Sequence, residues 1–373
     1  MAQSRYNLVR VILGERKRGD HESDNVYTRA AGYLDQWIRS GILARDAEPG
    51  IYPYFQEFTV PDTGERLTRK GFIALGAVED YSANIVHRHE RTLAGPKKDR
   101  LDLLRHTHAH CELIFMLYPD AEGAIDALLD AAAAAAPLGE VTDEYGAVHR
   151  IWKIGGAERI QELMADKKLL IADGHHRYET AMAFRNENPT LPGADRVAMA
   201  FVNMHSPDLR ILATHRLVSG LAAERMDEFL RAAAIDFKIQ KIDSTDRLKQ
   251  AWAGNTAGRT IIGAAIGGEL YQLEERDARG ELDIRILHDL LLGKALGITE
   301  EAVRDERFIR YMRGIDAAVE EARSGAAQIA FLLMPTSVQQ VADTSFGGGV
   351  MPQKSTDFYP KLLSGLTIYK LDS

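Results

Sequence analysis

One cysteine, Cys111, stands in a chain of 373 residues, so no internal disulfide is available and an oxidising compartment is not implied. The start, Met-Ala-Gln-Ser-Arg-Tyr, lacks the apolar core of a signal peptide, and a cytoplasmic protein is expected. Long hydrophobic runs are also missing. The most apolar stretch, 121–138, is alanine-heavy and broken by Glu122, Asp126 and Asp130, which is too short and too polar for a bilayer. Basic excess is absent as well: 54 acidic side chains outnumber 46 basic ones, for a net charge of −8. A surface that releases counterions from a nucleic-acid backbone needs the opposite sign, so general nucleic-acid binding is not expected, although a small basic pocket could still hold one nucleotide. What is present, 45% hydrophobic and 27% charged residues, is the composition of a globular protein with ample core.

The pattern along the chain is mixed α/β, of the α+β kind. Residues 6–13 read as a strand and 27–38 as an amphipathic helix. Alternating segments at 50–60 and 71–78 flank a Pro-Asp-Thr-Gly turn, which predicts an antiparallel hairpin. Strands are expected at 113–117, 169–172, 196–203 and 209–215, and a helix at 121–135 that stops before Pro137. Residues 225–275 carry two helical and two strand patterns, at 226–234, 245–253, 260–265 and 269–273. Helices at 283–296 and 308–322 and a strand at 329–333 follow. The expected division is a core over 1–222, an α/β accessory domain over 223–340 and a C-terminal segment, 341–373, that returns to the core's site.

Chemistry concentrates in three places. In 168–185 an apolar strand ends at Asp173-Gly174, and His175, His176 and Arg177 crowd the first turn of a helix. Cations belong at the other end of a helix dipole, whereas unpaired N–H groups at this end favour an anion. Gly174 lets backbone approach a phosphate, Arg177 offers forked donors and a histidine can carry a proton. The bland alternative has Asp173 capping the helix and the histidines solvated. The second place is the loop-like charged run 86–100. There Glu90, beside His89 and Arg91, has the character of a general base held ionised by cations. The third is 347–360, where Lys354 precedes Ser355 and Thr356. It lacks the glycine of a P-loop and reads instead as a helix capped by Ser355 or Thr356. His215-Arg216 follows a strand and is a weaker candidate. His106, His108 and His110 lack acidic or cysteine partners at a telling spacing, so no metal site is expected.

The stretches His89-Glu-Arg-Thr, Gly95-Pro-Lys-Lys-Asp-Arg, Ala172-Asp-Gly-His-His-Arg-Tyr-Glu-Thr-Ala, Thr214-His-Arg and Met351-Pro-Gln-Lys-Ser-Thr closely resemble the DUF1015 family, from about Tyr6 to the C-terminus. That family has no settled activity. Members of that family begin with a further segment of several dozen residues carrying a Pro-Pro-Tyr-Asp-Val-like stretch that has no counterpart here, so either an N-terminal truncation or a misassigned start codon is expected. A more distant resemblance joins the Asp173–Arg177 turn to the phosphate-contacting turn of the ParB/sulfiredoxin-like fold. That group includes CTP-binding partition proteins, sulfinic acid reductases and free-serine kinases.

The resemblance implies a nucleotide, ATP or ADP with Mg²⁺, lying at this helix start. Asp173, Gly174, His175, His176, Arg177, Ser355 and Thr356 would then hold the nucleotide. His89, Arg91, Thr92, Lys97, His215 and Arg216 would hold a small substrate, a free amino acid such as serine. Glu90, His176 and Lys354 would be catalytic in phosphoryl transfer, chemistry that needs positioning and charge neutralisation more than covalent machinery. The competing expectation is a non-catalytic nucleotide-binding or regulatory protein. A nuclease is disfavoured by the acidic balance.

Overall fold

Residues 197–202, Val-Ala-Met-Ala-Phe-Val, are apolar on both faces of a strand, and such a run needs cover on both sides. A computed structural model, which describes residues 4–90, 94–255 and 258–371, puts this strand near the middle of a large mixed sheet. The chain divides into two units, Met1–Leu209 with Pro360–Ser373, and Arg210–Tyr359. The architecture is mixed α/β.

In the first unit the strands are β1 (Tyr52–Thr59), β2 (Arg66–Ala77), β3 (Val86–His87), β4 (Ala109–His110), β5 (Ile114–Tyr118), β6 (Gly139–Thr142), β7 (Val148–Ile151), β8 (Leu169–Asp173) and β9 (Arg196–Asn203). Among the described residues, eight of them form one sheet in the order β3-β8-β5-β9-β2-β1-β7-β6. β1 and β2 are the expected hairpin, paired antiparallel from Tyr52↔Ile73 to Thr59↔Arg66. Two pairs are parallel, β3 with β8 and β5 with β9.

One sheet face is covered by α4 (Ala124–Ala133), α5 (Glu158–Met164) and α6 (His175–Glu187), through Ile125, Leu129, Ile160, Tyr178 and Ala181 against Phe72, Met116, Ile171 and Phe201. The other face, with Tyr54, Ile73, Ile151 and Ala200, is covered by Leu362, Leu366 and Tyr369 of the returning C-terminal stretch. Tyr369–Lys370 also pairs with β4.

Residues 6–13 are not a strand. They hold a short helix, α1 (Val9–Ile12), because Val11 fills a pocket against Ala30, Leu34 and Trp37 of α2 (Val26–Arg39). That packing decides between helix and strand for a short apolar run. The charged run likewise turns helical, as α3 (Ala94–Thr107), with Lys98 and Asp102 paired at i, i+4 and 2.8 Å.

The second unit contains β10 (Arg210–Ile211), β11 (His215–Val218), β12 (Phe237–Ile242), β13 (Ile261–Ile266), β14 (Glu269–Glu275), β15 (Ile309–Met312), β16 (Ile329–Leu332) and β17 (Phe358–Tyr359). An antiparallel sheet runs β12-β14-β13-β16-β11-β15, and β10 pairs with β17. Helices α7 (Ala223–Ala233), α8 (Thr245–Ala253), α9 (Asp283–Ile286), α10 (Glu300–Arg304), α11 (Ile315–Arg323) and α12 (Val338–Phe346) surround it, with a π-helix over Leu287–Ala295. The helix expected over 308–322 is a strand followed by a helix. Gly314, at φ 81°, turns the chain between them.

Candidate functional site

β3 and β8 run parallel, with Val86 opposite Leu169 and His87 opposite Leu170, so the chain leaves both strands at the same sheet end. Carboxyl ends of neighbouring parallel strands are where open sheets hold ligands. After β8 the chain turns through Gly174, at φ 99°, and enters α6 with no side-chain cap on its first N–H groups. Other helices here do use caps: Asn25, Ser244, Thr299 and Ser337 accept from their own first turns. Asp173 does not cap either. Its carboxylate accepts from Arg177 Nη2 at 2.8 Å and lies 3.6 Å from Lys361 Nζ. Burial by itself would raise this carboxyl, but Arg177 and Lys361 outweigh it and hold the group below the usual carboxylate range.

Arg177 folds back across the turn. Glycine is needed at 174 for its φ, and a Cβ there would stand 2.9 Å from Arg177 Nη2 and 3.0 Å from Nε, so the guanidinium would have to swing aside. Arg177 Nη1 also reaches Glu112, at 3.4 Å, and Glu112 takes Arg100 at 3.1 Å. The Nε of Arg177 is buried with no hydrogen-bond partner.

The expected trio of cations at the helix start does not form. His175 is buried edge to face against His89, with ring centroids 4.6 Å apart. The His89 backbone N–H donates to His175 Nε2 at 3.4 Å, and His89 Nδ1 donates to the Ile171 carbonyl at 2.8 Å. Burial pushes His89 down to about 4 and His175 well below its ordinary value, so both rings are neutral. Their effect is to pin the 88–90 segment to the α6 start. Glu90, half-buried, follows directly in that segment, and half-buried His176 sits on the first helical turn. Lys97 and Arg88 converge on Glu179 of α6, Arg88 at 3.2 Å. Arg91 and Thr92 lie outside the described residues.

The remaining candidates belong to the second unit. His215 is buried on β11, its Nδ1 accepting from the Leu333 N–H at 3.3 Å, and burial pushes it down to about 4. Arg216 donates to the carbonyls of Gln353 and Lys354, at 3.2 and 2.9 Å. No helix begins at Ser355 or Thr356. The Ser355 hydroxyl donates instead to the Pro352 carbonyl at 2.5 Å, and the chain continues into β17. Asp357, which follows them, is drawn into a fork with Arg313, which donates to both carboxylate oxygens. The Asp357 carbonyl accepts from the Leu212 N–H at 2.9 Å, which extends the β10–β17 ladder.

Sequence reasoning passed over Arg69, Glu112, Glu179 and Lys361. Arg69 had a signal: it shares the inward face of β2 with Leu67 and Gly71, an arginine at a core position. It is 1% exposed, donates to Gln56 Oε1 and to the Pro360 carbonyl at 2.6 Å, and lies 4.5 Å over the Phe115 ring. Glu112, Glu179 and Lys361 carried no local signal, because their partners are distant in sequence.

A family model for DUF1015, a protein of unknown function, matches residues 1–293. Among solved structures, a conserved hypothetical protein from Pyrococcus furiosus is similar at 12% identity and a TM-score of 0.43, over 80% of this chain and 95% of that one. A free serine kinase in complex with AMP is similar at 12% identity and a TM-score of 0.41, over 77% of this chain and 86% of that one. SbnI with a C-terminal truncation, from Staphylococcus aureus, is similar at 10% identity and a TM-score of 0.41, over 78% and 85%. No curated protein matches the chain. Among the described residues, no helix is long and apolar enough to cross a membrane, and no group of three or more His, Cys, Asp or Glu side chains fits a metal ion.

Proposed function

The chain belongs to the DUF1015 family of proteins of unknown function, and from that premise we propose that the first unit binds the phosphates of a nucleotide at the start of α6 and transfers a phosphoryl group to a small hydroxyl-bearing metabolite. One observation carries the reading: an uncapped helix start behind a left-handed glycine, crossed by an arginine whose Nε is buried without a partner. Uncapped N–H groups and an aligned guanidinium are the donors a phosphate takes. His89 and His175 fix the turn without adding charge.

Glu90 is the proposed base. It would take the hydroxyl proton as the substrate oxygen bonds the terminal phosphorus and the bond to the nucleoside diphosphate breaks. Mg²⁺ would arrive with the nucleotide. Serine is the leading substrate, by the resemblance of the Asp173–Arg177 turn to that of free-serine kinases. Only first-unit residues enter this proposal.

A second reading, binding without chemistry, is favoured by the state of Arg177, already bridged to Asp173 and Glu112. A phosphate has to displace those carboxylates, which is how a ligand-operated switch behaves. Thermal unfolding with ATP, ADP, CTP and phosphate, followed by incubation with amino acids and detection of a phosphorylated product, separates the two. Binding with product supports transfer, and binding without product leaves the switch. No binding, or equal binding by an Arg177→Ala variant, removes both.

A further inference from the structure

The second unit buries a cation, Arg216, that pairs with no carboxylate among the described residues. Arg216 is 1% exposed, and its described partners are backbone carbonyls and a ring: Thr214, Gln353 and Lys354, with Tyr311 at 5.3 Å. Three of its five N–H groups are thereby used, and Nε is buried without a partner. His288, whose pKa Arg216 helps to depress, also buries an unpartnered nitrogen, Nε2. Burial, with Arg216's charge, pushes that ring down to about 3, so it is neutral.

Arg216 lines a cavity together with Thr214, Asp283, Thr336, Gln340 and Ser355. Gln340 lies in the first turn of α12, where it closes a capping box with Ser337, and Thr336 directly precedes that cap. Burial pushes the Asp283 carboxyl up, toward the form that donates a hydrogen bond. Desolvating a guanidinium is costly unless it is paired, and native proteins leave few buried polar nitrogens unmet. Both facts ask for a negatively charged acceptor.

We propose that this cavity binds a small oxyanion, a carboxylate or a phosphate group, with Arg216 as its charge partner; the Thr336 and Ser355 hydroxyls on its wall are already committed to the Ser355 and Pro352 carbonyls. The inference rests on the second unit alone and does not depend on the α6 reading.

The test uses the full chain carrying Arg177→Ala, so that the α6 start does not contribute. Thermal unfolding is followed with inorganic phosphate, acetate or malonate against chloride at equal ionic strength. The expected result is a midpoint raised by a few degrees with phosphate or with the carboxylates, as selective binding to the folded state requires. Adding Arg216→Met should abolish that shift. No shift with any of the three anions overturns the proposal, and so does a shift that survives Arg216→Met. Should either variant fail to fold, crystals of the unaltered chain soaked in phosphate and in malonate decide. Density within hydrogen-bond distance of Arg216 Nε supports the site, and an empty cavity in both soaks overturns it.

Discussion

Arg69 in the first unit and Arg216 in the second are each 1% exposed, each lies over an aromatic ring, and each is pushed down to about 10 by burial. They differ in what surrounds the charge. Arg69 donates through Nε and Nη2 to Gln56 Oε1, ties down the Pro360 carbonyl, and feels the negative charge of Asp173. Among the described residues Arg216 pairs with no carboxylate, leaves Nε unmet and borders a cavity. Two arginines of equal burial thus have different roles: Arg69 braces the returning C-terminal stretch, and Arg216 waits for an anion.

The largest effect separates these roles. Arg69→Ala should cost about 3–5 kcal/mol, because it opens a cavity and strands the Gln56 and Pro360 acceptors. Arg216→Met removes an unbalanced charge and keeps much of the volume, so it should cost less than about 2 kcal/mol. Chemical denaturation of both variants checks the ordering. Equal losses would erase the distinction.

The next effect is on pH. His89 has a folded value of about 4 against 6.5 in the unfolded chain. Between these values the unfolded state binds more protons, so stability falls as pH falls from 6.5 toward 4, by about 3 kcal/mol for this ring. His89→Gln should flatten that part of the stability–pH curve, as read from unfolding midpoints at a series of pH values. An unchanged slope would mean that the His89–His175 contact is not what pins the 88–90 segment to α6.

Much of the first unit was legible because it follows local rules. The β1–β2 hairpin came from alternation and a turn signal, and the Asp173-Gly174 turn with its helix came from an apolar run followed by helical spacing. Those rules failed where tertiary partners decide. Residues 9–12 are helical because of α2, and 355–357 follow Arg313 and β10 rather than their own capping residues. β12 reads Phe-Lys-Ile-Gln-Lys-Ile, where Phe237 and Ile239 alternate with polar residues but Lys241 breaks the alternation, so its strand signal was weak. At the site, residue types marked Gly174 and Arg177, while protonation states did not follow from type. The burial that neutralises His175 depends on His89, 86 positions away.

A smaller effect tests the turn that sets Arg177 apart from both buried arginines. Gly174→Ala places a Cβ at φ 99° against the Arg177 guanidinium. It should cost about 1–2 kcal/mol in backbone strain. Because the guanidinium is displaced, phosphate and ADP affinity should fall with it. Titration calorimetry alongside denaturation reads both quantities, and a stability loss with intact affinity would make Gly174 purely a folding residue.

The smallest expected change in stability is at Asp173, and it bears most directly on what Arg177 is for. The carboxylate is 42% exposed at its side chain, so its pairing with Arg177 is screened and Asp173→Asn should cost no more than about 1 kcal/mol at neutral pH. Its folded pKa lies below the unfolded value, so this contribution is present above about 4 and is lost as pH falls through the folded value. The effect on ligands should be the reverse of a loss. With the competing charge gone, Arg177 turns more readily to a phosphate, and inorganic phosphate and ADP without metal should bind several-fold more tightly. If Asp173 instead holds the Mg²⁺ that accompanies a nucleotide, the same variant would weaken MgATP while sparing metal-free phosphate. Calorimetric titrations with phosphate, ADP and MgATP therefore distinguish a carboxylate that guards the arginine from one that serves the metal. Weakening of all three would show that Asp173 holds Arg177 in its binding position rather than away from it.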